Sequence, residues 1–327
     1  MSLDESKAVG ESKSDLKHDS KPIKIAFFGT PLFAKNILES LWRESYKRES
    51  FEIIALITQE DKPFGRKREL KMPETKAFVL ENAIQIPIFQ PQKVSEILEH
   101  LRALKPDIAL VVAYGRILPK AIIDEFYCIN IHGSILPKFR GASPINAMIL
   151  NDDEFFGISA IKMNERLDSG EILGFSVIKN RHLGFEKTAN MLSIMGANLA
   201  IKILGQLDSI APLKQNDCDS SHCHKLTKRE GIVEFIDAKE IFLKSLAFEI
   251  YPQIALENGL KIFGVKINEL ELSHNAGEIL EVCESGIVVG CERGSIVIES
   301  LQSAGKNKMS AVAYLNGARL KVGDILR

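Results

Sequence analysis

The sequence has no excess of either charge sign. Lys and Arg number 42 against 43 Asp and Glu, a net charge of -1 at pH 7. No global basic field therefore draws in nucleic acid without selectivity, and any such contact must come from a local patch. It also lacks a long hydrophobic run: nothing approaches the ~18 apolar residues that a membrane span needs, so the expectation is a soluble chain with no membrane partner. Cysteine is scarce and odd in number, with five residues (Cys128, Cys218, Cys223, Cys283 and Cys291). The N-terminal stretch has no apolar core of a secretory signal, so reduced thiols in a cytoplasm are expected and a small disulfide-stapled scaffold is excluded. No serine sits in a nucleophile elbow, Gly29-Thr30-Pro31 is neither a dinucleotide nor a P-loop fingerprint, and there is no internal repeat.

What is present is ordinary globular material, 45% hydrophobic and 26% charged over 327 residues, enough for about two domains at ~150 residues each. Residues 1–22 mix both charge signs with serine and hold too few apolar groups to offset the entropy of ordering, so they are expected to be a disordered tail. From Ile23 a short apolar run closes on Gly29, and helical periodicity follows through Phe33, Ile37, Leu38 and Leu41. β-rich and helical stretches then alternate. Phe51 to Thr58, Asp107 to Ala113 and Cys128 to His132 read as strands, Ala142 to Leu150 as a helix, Gly157 to Met163 and Glu171 to Ile178 as strands, and Phe185 to Leu207 as a long closing helix. This predicts an α/β fold with a Rossmann-like parallel sheet over 23–207. The Pro, Asn, Asp and Ser clusters of 208–224 read as a linker. Over 225–327, a helix at Ala238 to Phe248 and short runs at Lys261 to Ile267, Gly286 to Val289, Ser295 to Leu301 and Leu320 to Leu326 predict a small OB-like β-barrel.

Ligands of an open parallel sheet bind beyond the carboxyl ends of its strands, which directs attention to 111–119 and 130–141. Asn130 and His132, at i and i+2 of one strand, project to the same face. The pair reads equally well as catalytic or as partners for loop backbone groups. Asp168, in Arg166-Leu-Asp-Ser-Gly170, reads alone as a turn residue. Asn, His and Asp without an activated Ser or Cys suggest acyl transfer by direct attack, with no covalent intermediate. Lys62, Arg66, Lys67, Arg68 and Lys71 form the densest basic run in the chain, with Glu69 the one acid among them. Such a run is either a solvated face or a nucleic-acid contact. Asp217-Cys-Asp-Ser-Ser-His-Cys-His224 carries zinc-type ligands at no structural zinc spacing, and no metal is expected.

The strings Ala113-Tyr-Gly-Arg-Ile-Leu-Pro119, Asn130-Ile-His-Gly-Ser-Ile-Leu-Pro-Lys-Phe-Arg-Gly141 and Leu167-Asp-Ser-Gly170 resemble the formyltransferase family that uses 10-formyltetrahydrofolate. The resemblance runs from about Ile23 to the C-terminus. It includes the loop from Gln59 to Arg66, Lys225-Leu-Thr-Lys228 and the segment from Leu301 to Ala311. It implies that His132 donates toward the formyl oxygen, that Asn130 holds the same group, and that Asp168 pairs with His132 and helps relay the proton leaving the attacking amine. It implies a folate site formed by Arg116, Leu118, Ser134, Ile135, Leu136 and Pro137. Without the resemblance, Ile117, Leu118, Ile135 and Leu136 read as core. It further implies that Arg66, Lys67 and Arg68 contact the acceptor stem of initiator methionyl-tRNA, the amine being formylated for translation initiation by a monomeric enzyme. The basic run and Lys306-Asn-Lys-Met-Ser-Ala311 favour tRNA over the rivals, a nucleotide-linked amino sugar or hydrolysis of the folate. A non-catalytic RNA-binding scaffold is the other alternative. Arg166 stands where the family commonly has glycine, Tyr251-Pro252 replaces Trp-Pro, and Leu246 lies where arginine is common.

Overall fold

The computed structural model describes residues 21–65 and 68–327. The expected disordered tail, up to residue 20, and the Arg66 and Lys67 contacts lie outside the described residues. A seven-stranded sheet organises the N-terminal part. Its strands are β1 (Ile23–Gly29), β2 (Phe51–Ile57), β3 (Ile88–Phe89), β4 (Ile108–Val112), β5 (Tyr127–His132), β6 (Phe155–Lys162) and β7 (Glu171–Lys179). They lie in the order 3-2-1-4-5-6-7, with β1 to β5 parallel and β6 antiparallel to both of its neighbours. All five residues of β4 are buried, as befits a strand covered on both faces.

Alternation assigns side chains to two separate cores. Ile25, Phe27, Ile108, Leu110, Ile129 and Ile131 fill the core shared with the helices Leu32–Arg48 and Phe185–Leu204. Ala26, Phe28, Ala109, Val111 and Cys128 fill the opposite one, with Ile97, Leu101 and Ile122. Asn130 and His132 share parity with Cys128, so they stand on that second face at the carboxyl end of β5, as the i, i+2 spacing predicts. At either end of the basic run, read from sequence only as a charged stretch, Lys62–Phe64 and Glu69–Lys71 form a two-stranded antiparallel ribbon pairing Lys62 with Lys71 and Pro63 with Leu70.

The C-terminal part is an antiparallel sheet in the order Lys261–Glu269, Ser295–Gln302, Gly286–Gly290, Ile279–Cys283, with Met309–Ser310 added to the end of Ser295–Gln302. Single backbone bridges, Ala255 to Lys261 and Glu278 to Ile325, meet its edges. One local expectation differs from the structure, and elements appear that were not expected. Leu320 to Leu326 is a turn, because Gly323 takes φ +91° and Asp324 accepts a hydrogen bond from the Lys321 amide. Ile279–Cys283 is a strand that periodicity passes over, since it buries only Ile279. The helix Ala311–Ala318, also unforeseen, starts at Ser310, whose hydroxyl accepts from the Ala313 amide.

A single cluster of buried side chains joins the two parts. It runs from Ile145, Met148, Ile149, Phe156 and Leu192 to Val233, Phe235, Ile241, Phe248 and Ile296. Inside it the buried Asn146 amide donates to the Ala247 carbonyl at 2.6 Å. At its rim Asp152 accepts from His182 Nε2 at 2.9 Å and pairs with Lys239 Nζ at 2.7 Å. Burial works to raise the Asp152 carboxyl, but the Lys239 and His182 contacts prevail and hold it below the usual carboxylate range. A carboxylate with a depressed folded pKa stabilises above its unfolded value and loses that contribution as pH falls through the folded one. Asp152→Asn is therefore expected to cost on the order of 1 kcal/mol at pH 7. The gap in melting temperature between variant and wild type should close as pH falls below about 4. A gap that stays constant down to pH 3 would contradict this role for Asp152.

Candidate active site

The carboxylate of Asp168 is the centre of the site. Its residue adopts a left-handed conformation, φ +48°, in the loop between β6 and β7, and its side chain is only 9% exposed. Oδ1 accepts from Asn130 Nδ2 at 3.0 Å, and Oδ2 accepts from the Gly141 amide at 2.9 Å. His132 Nδ1 lies 3.6 Å from Oδ2. The other ring nitrogen, Nε2, is 2.9 Å from the Phe139 carbonyl; a carbonyl only accepts, so Nε2 carries a proton. Asn130 has a second amide hydrogen, and with the first held by Asp168 that hydrogen is oriented away from the carboxylate. The three residues expected to carry the chemistry are thus in direct contact.

Sequence reasoning missed how the loops around them are fixed. Arg140–Gly141 pairs in parallel with His222–Cys223, a two-residue strand in the segment expected to be a linker. Gly141 sits at φ +120°, and a Cβ there would come within 2.1 Å of the Cys223 carbonyl oxygen, so a side chain has no room. Ser221 Oγ accepts from the Phe139 amide at 2.9 Å. Burial pushes the Cys223 thiol up, and it donates to the Phe139 carbonyl at 3.4 Å. The Arg140 guanidinium, 4% exposed, donates to Gln215 Oε1 at 3.0 Å and Asp217 Oδ1 at 2.9 Å. Arg140 and Gly141 lie within a string the sequence singles out, but nothing in 208–224 announces a structural partner of that string.

The residues expected to hold folate differ in how much of each is open to a ligand. Arg116 donates to the Pro91 and Gln92 carbonyls at 2.7 and 2.6 Å and pairs with Glu60 at 3.2 Å, so its guanidinium is engaged away from the catalytic trio. Leu118 is 3% and Leu136 4% exposed, and Leu136 packs on Ile161 and Ile172. Ile135 lies against Gly157 of β6. Ser134 is buried and donates to the Lys138 carbonyl at 2.6 Å. Pro137, half-buried, follows Leu136 through a cis peptide bond. Exposed in the neighbouring loop are Ala113, Gly115 and Ile117, alternating with buried Tyr114 and Leu118. Ile117, 80% exposed, presents an apolar side chain on this loop.

The basic ribbon is joined to the same region. Gln59 donates to the Tyr114 carbonyl at 2.7 Å and accepts from Lys62 Nζ at 2.5 Å. Asp61, Lys76 and Gln90 brace its base, and the hydrogen bond from Lys76 leads the contacts that hold the Asp61 carboxyl below its ordinary range. Arg68 is exposed at φ +54°. Among the described residues, no group of three or more His, Cys, Asp or Glu side chains is placed to hold a metal ion. All five cysteines are free, and burial pushes the Cys128 and Cys291 thiols up to about 12.

Comparison with known proteins finds matches to both parts of the chain. Residues 23–184 match the family model described as formyl transferase, and 225–319 match the formyl transferase C-terminal domain. The chain belongs to the formyl transferase family. Its full-length relatives include proteins named methionyl-tRNA formyltransferase. One from Helicobacter acinonychis is 50% identical over 93% of this chain and 100% of its own length, and one from Campylobacter lari is 41% identical over 92% and 99%. Solved structures with the same fold include an N-formyltransferase from Helicobacter canadensis in complex with folinic acid and dTDP-3-aminofucose. It has a TM-score of 0.64 at 18% identity, covering 88% of this chain and all of that one. HypX from Aquifex aeolicus in complex with tetrahydrofolic acid gives 0.60 at 14% identity, covering 94% of this chain and 49% of that one.

The close fit at Gly141 yields a direct test. Gly141→Ala should cost about 2 kcal/mol or more, because a residue at positive φ acquires a Cβ against a backbone carbonyl. Chemical denaturation measures this, and wild-type stability in the variant would show that the 222–223 strand does not bear on the catalytic loop.

Proposed function

We propose that the protein transfers the formyl group of 10-formyltetrahydrofolate to the α-amino group of initiator methionyl-tRNA, acting in the cytoplasm as a monomer and without a metal ion. The observation that carries the reading is the Asp168 carboxylate held between Asn130 and Gly141 and facing His132. The relatives' shared name, at 41–50% identity over nearly the whole chain, supports the acceptor. The solved N-formyltransferases, at 14–20% identity, share the fold and do not speak to the acceptor.

Bound 10-formyltetrahydrofolate supplies the activated formyl carbon. The chain's own groups do the rest. Asn130 presents its second amide hydrogen to an oxygen in the cleft, and a well-aimed donor at a developing oxyanion is worth roughly 3 kcal/mol. His132 Nε2 carries a donatable proton; to use it toward substrate the ring must leave the Phe139 carbonyl. Asp168, next to Nδ1, helps relay the proton that leaves the attacking amine to the departing folate nitrogen. The main chain and Ile117 of the 113–117 loop receive the flat ring of the donor. Arg66, Lys67 and Arg68 of the basic run contact phosphates and base edges of the acceptor stem, with phosphate contacts setting affinity.

Two outcomes test these roles. His132→Ala should lower the single-turnover rate on the order of a hundredfold or more while leaving tRNA affinity nearly intact. A changed affinity with normal turnover would remove His132 from the chemistry. Replacing Arg66 and Arg68 by Ala should weaken tRNA binding and reduce the slope of log K against log salt by about 0.7–0.9 for each phosphate no longer neutralised. An unchanged slope would take the ribbon out of the interface.

A further inference from the structure

We infer that Gln215, in the segment connecting the two parts of the chain, is a positioning residue for Asp168. Its amide nitrogen donates to the Asp168 carbonyl at 2.9 Å and to the Gly170 carbonyl at 2.7 Å, so both of its hydrogens go to the loop that presents the carboxylate. Its oxygen accepts from Arg140 Nε at 3.0 Å. Arg140 immediately precedes Gly141, whose amide holds Asp168 Oδ2. One side chain therefore grips Asp168 from two directions, at its own carbonyl and through the residue beside its carboxylate partner.

The loop needs such a hold. Asp168 is left-handed without being glycine, a conformation that persists only where the surroundings over-determine it. At Gly170 a Cβ would lie 1.8 Å from the Lys162 carbonyl, so the loop is pressed onto the end of β6. Arg140 is in turn fixed by Asp217, which also pairs with Arg166 at 3.3 Å. Arg140's hydrogen bond leads the contacts that hold the Asp217 carboxyl low, so it stays an anion at neutral pH. Only a side-chain amide of this length offers two donors to the loop and one acceptor to Arg140; a glutamate keeps the acceptor and loses both donors.

This inference rests on the catalytic role given to Asp168, and the experiment separates the two. Single-turnover formyl transfer and KM for donor and acceptor are measured for Asp168→Asn, Gln215→Met, Gln215→Glu and the double variant Gln215→Met with Asp168→Asn. The expected result is a loss of tenfold or more in rate for both Gln215 variants. KM should stay within about threefold, and Gln215→Glu should remain folded at the assay temperature, its Arg140 contact becoming an ion pair while the lost donors lower its melting temperature. In the double variant, the loss should be no greater than for Asp168→Asn alone, since the two residues act as one unit. A Gln215→Glu protein that turns over at the wild-type rate, or a double variant whose losses multiply, would overturn the inference. An Asp168→Asn protein with full activity would instead overturn the role of Asp168, whatever the Gln215 variants do.

Discussion

The buried Asp168 carboxylate is the constraint on which the rest of the site depends. A carboxyl so nearly enclosed must have its lone pairs occupied; the Asn130 and Gly141 amides donate to it and His132 Nδ1 lies beside it, and two of these three residues are the ones proposed to carry the chemistry. Satisfying the anion and aligning the catalytic groups are one requirement. The sheet supplies two of the partners at a fixed spacing on β5, and the loops after β5 and β6 must reach the same point from opposite sides.

Those loops do not hold themselves. The strand His222–Cys223, the Ser221 hydroxyl and the Arg140–Gln215–Asp217 network fasten them to the segment that leads into the C-terminal sheet. The same C-terminal sheet shares a continuous apolar core with the helices behind β5 and β6. The path from catalytic carboxylate to C-terminal unit is therefore short and built of direct contacts. The two parts of the chain are mechanically joined.

Much of this was legible in the residues. Continuous apolar runs such as Asp107 to Ala113 mark strands covered on both faces, and the period of two at Asn130 and His132 puts both on one face without further information. From its own neighbours Asp168 was legible as a turn residue, and only the family resemblance singled it out, because its partners lie 27 and 38 residues away and no local pattern encodes a tertiary hydrogen bond. The role of 208–224 was hidden for the same reason: polar, aperiodic chain looks like a linker whether it is solvated or, as with Gln215 and Ser221, hydrogen-bonded to a catalytic loop. In the C-terminal part, the misread turn at Gly323 and the overlooked edge strand at Ile279 both arise where burial is slight and hydrophobic pattern correspondingly weak.

The central claim, that this carboxylate-centred site formylates the amine of an initiator aminoacyl-tRNA, is tested most directly by transfer of labelled formyl from 10-formyltetrahydrofolate. Initiator methionyl-tRNA, elongator methionyl-tRNA, a nucleotide-linked amino sugar and no acceptor are compared side by side. The account predicts label on the initiator tRNA alone. Label on the sugar, or release of formate at the same rate without an acceptor, would contradict it.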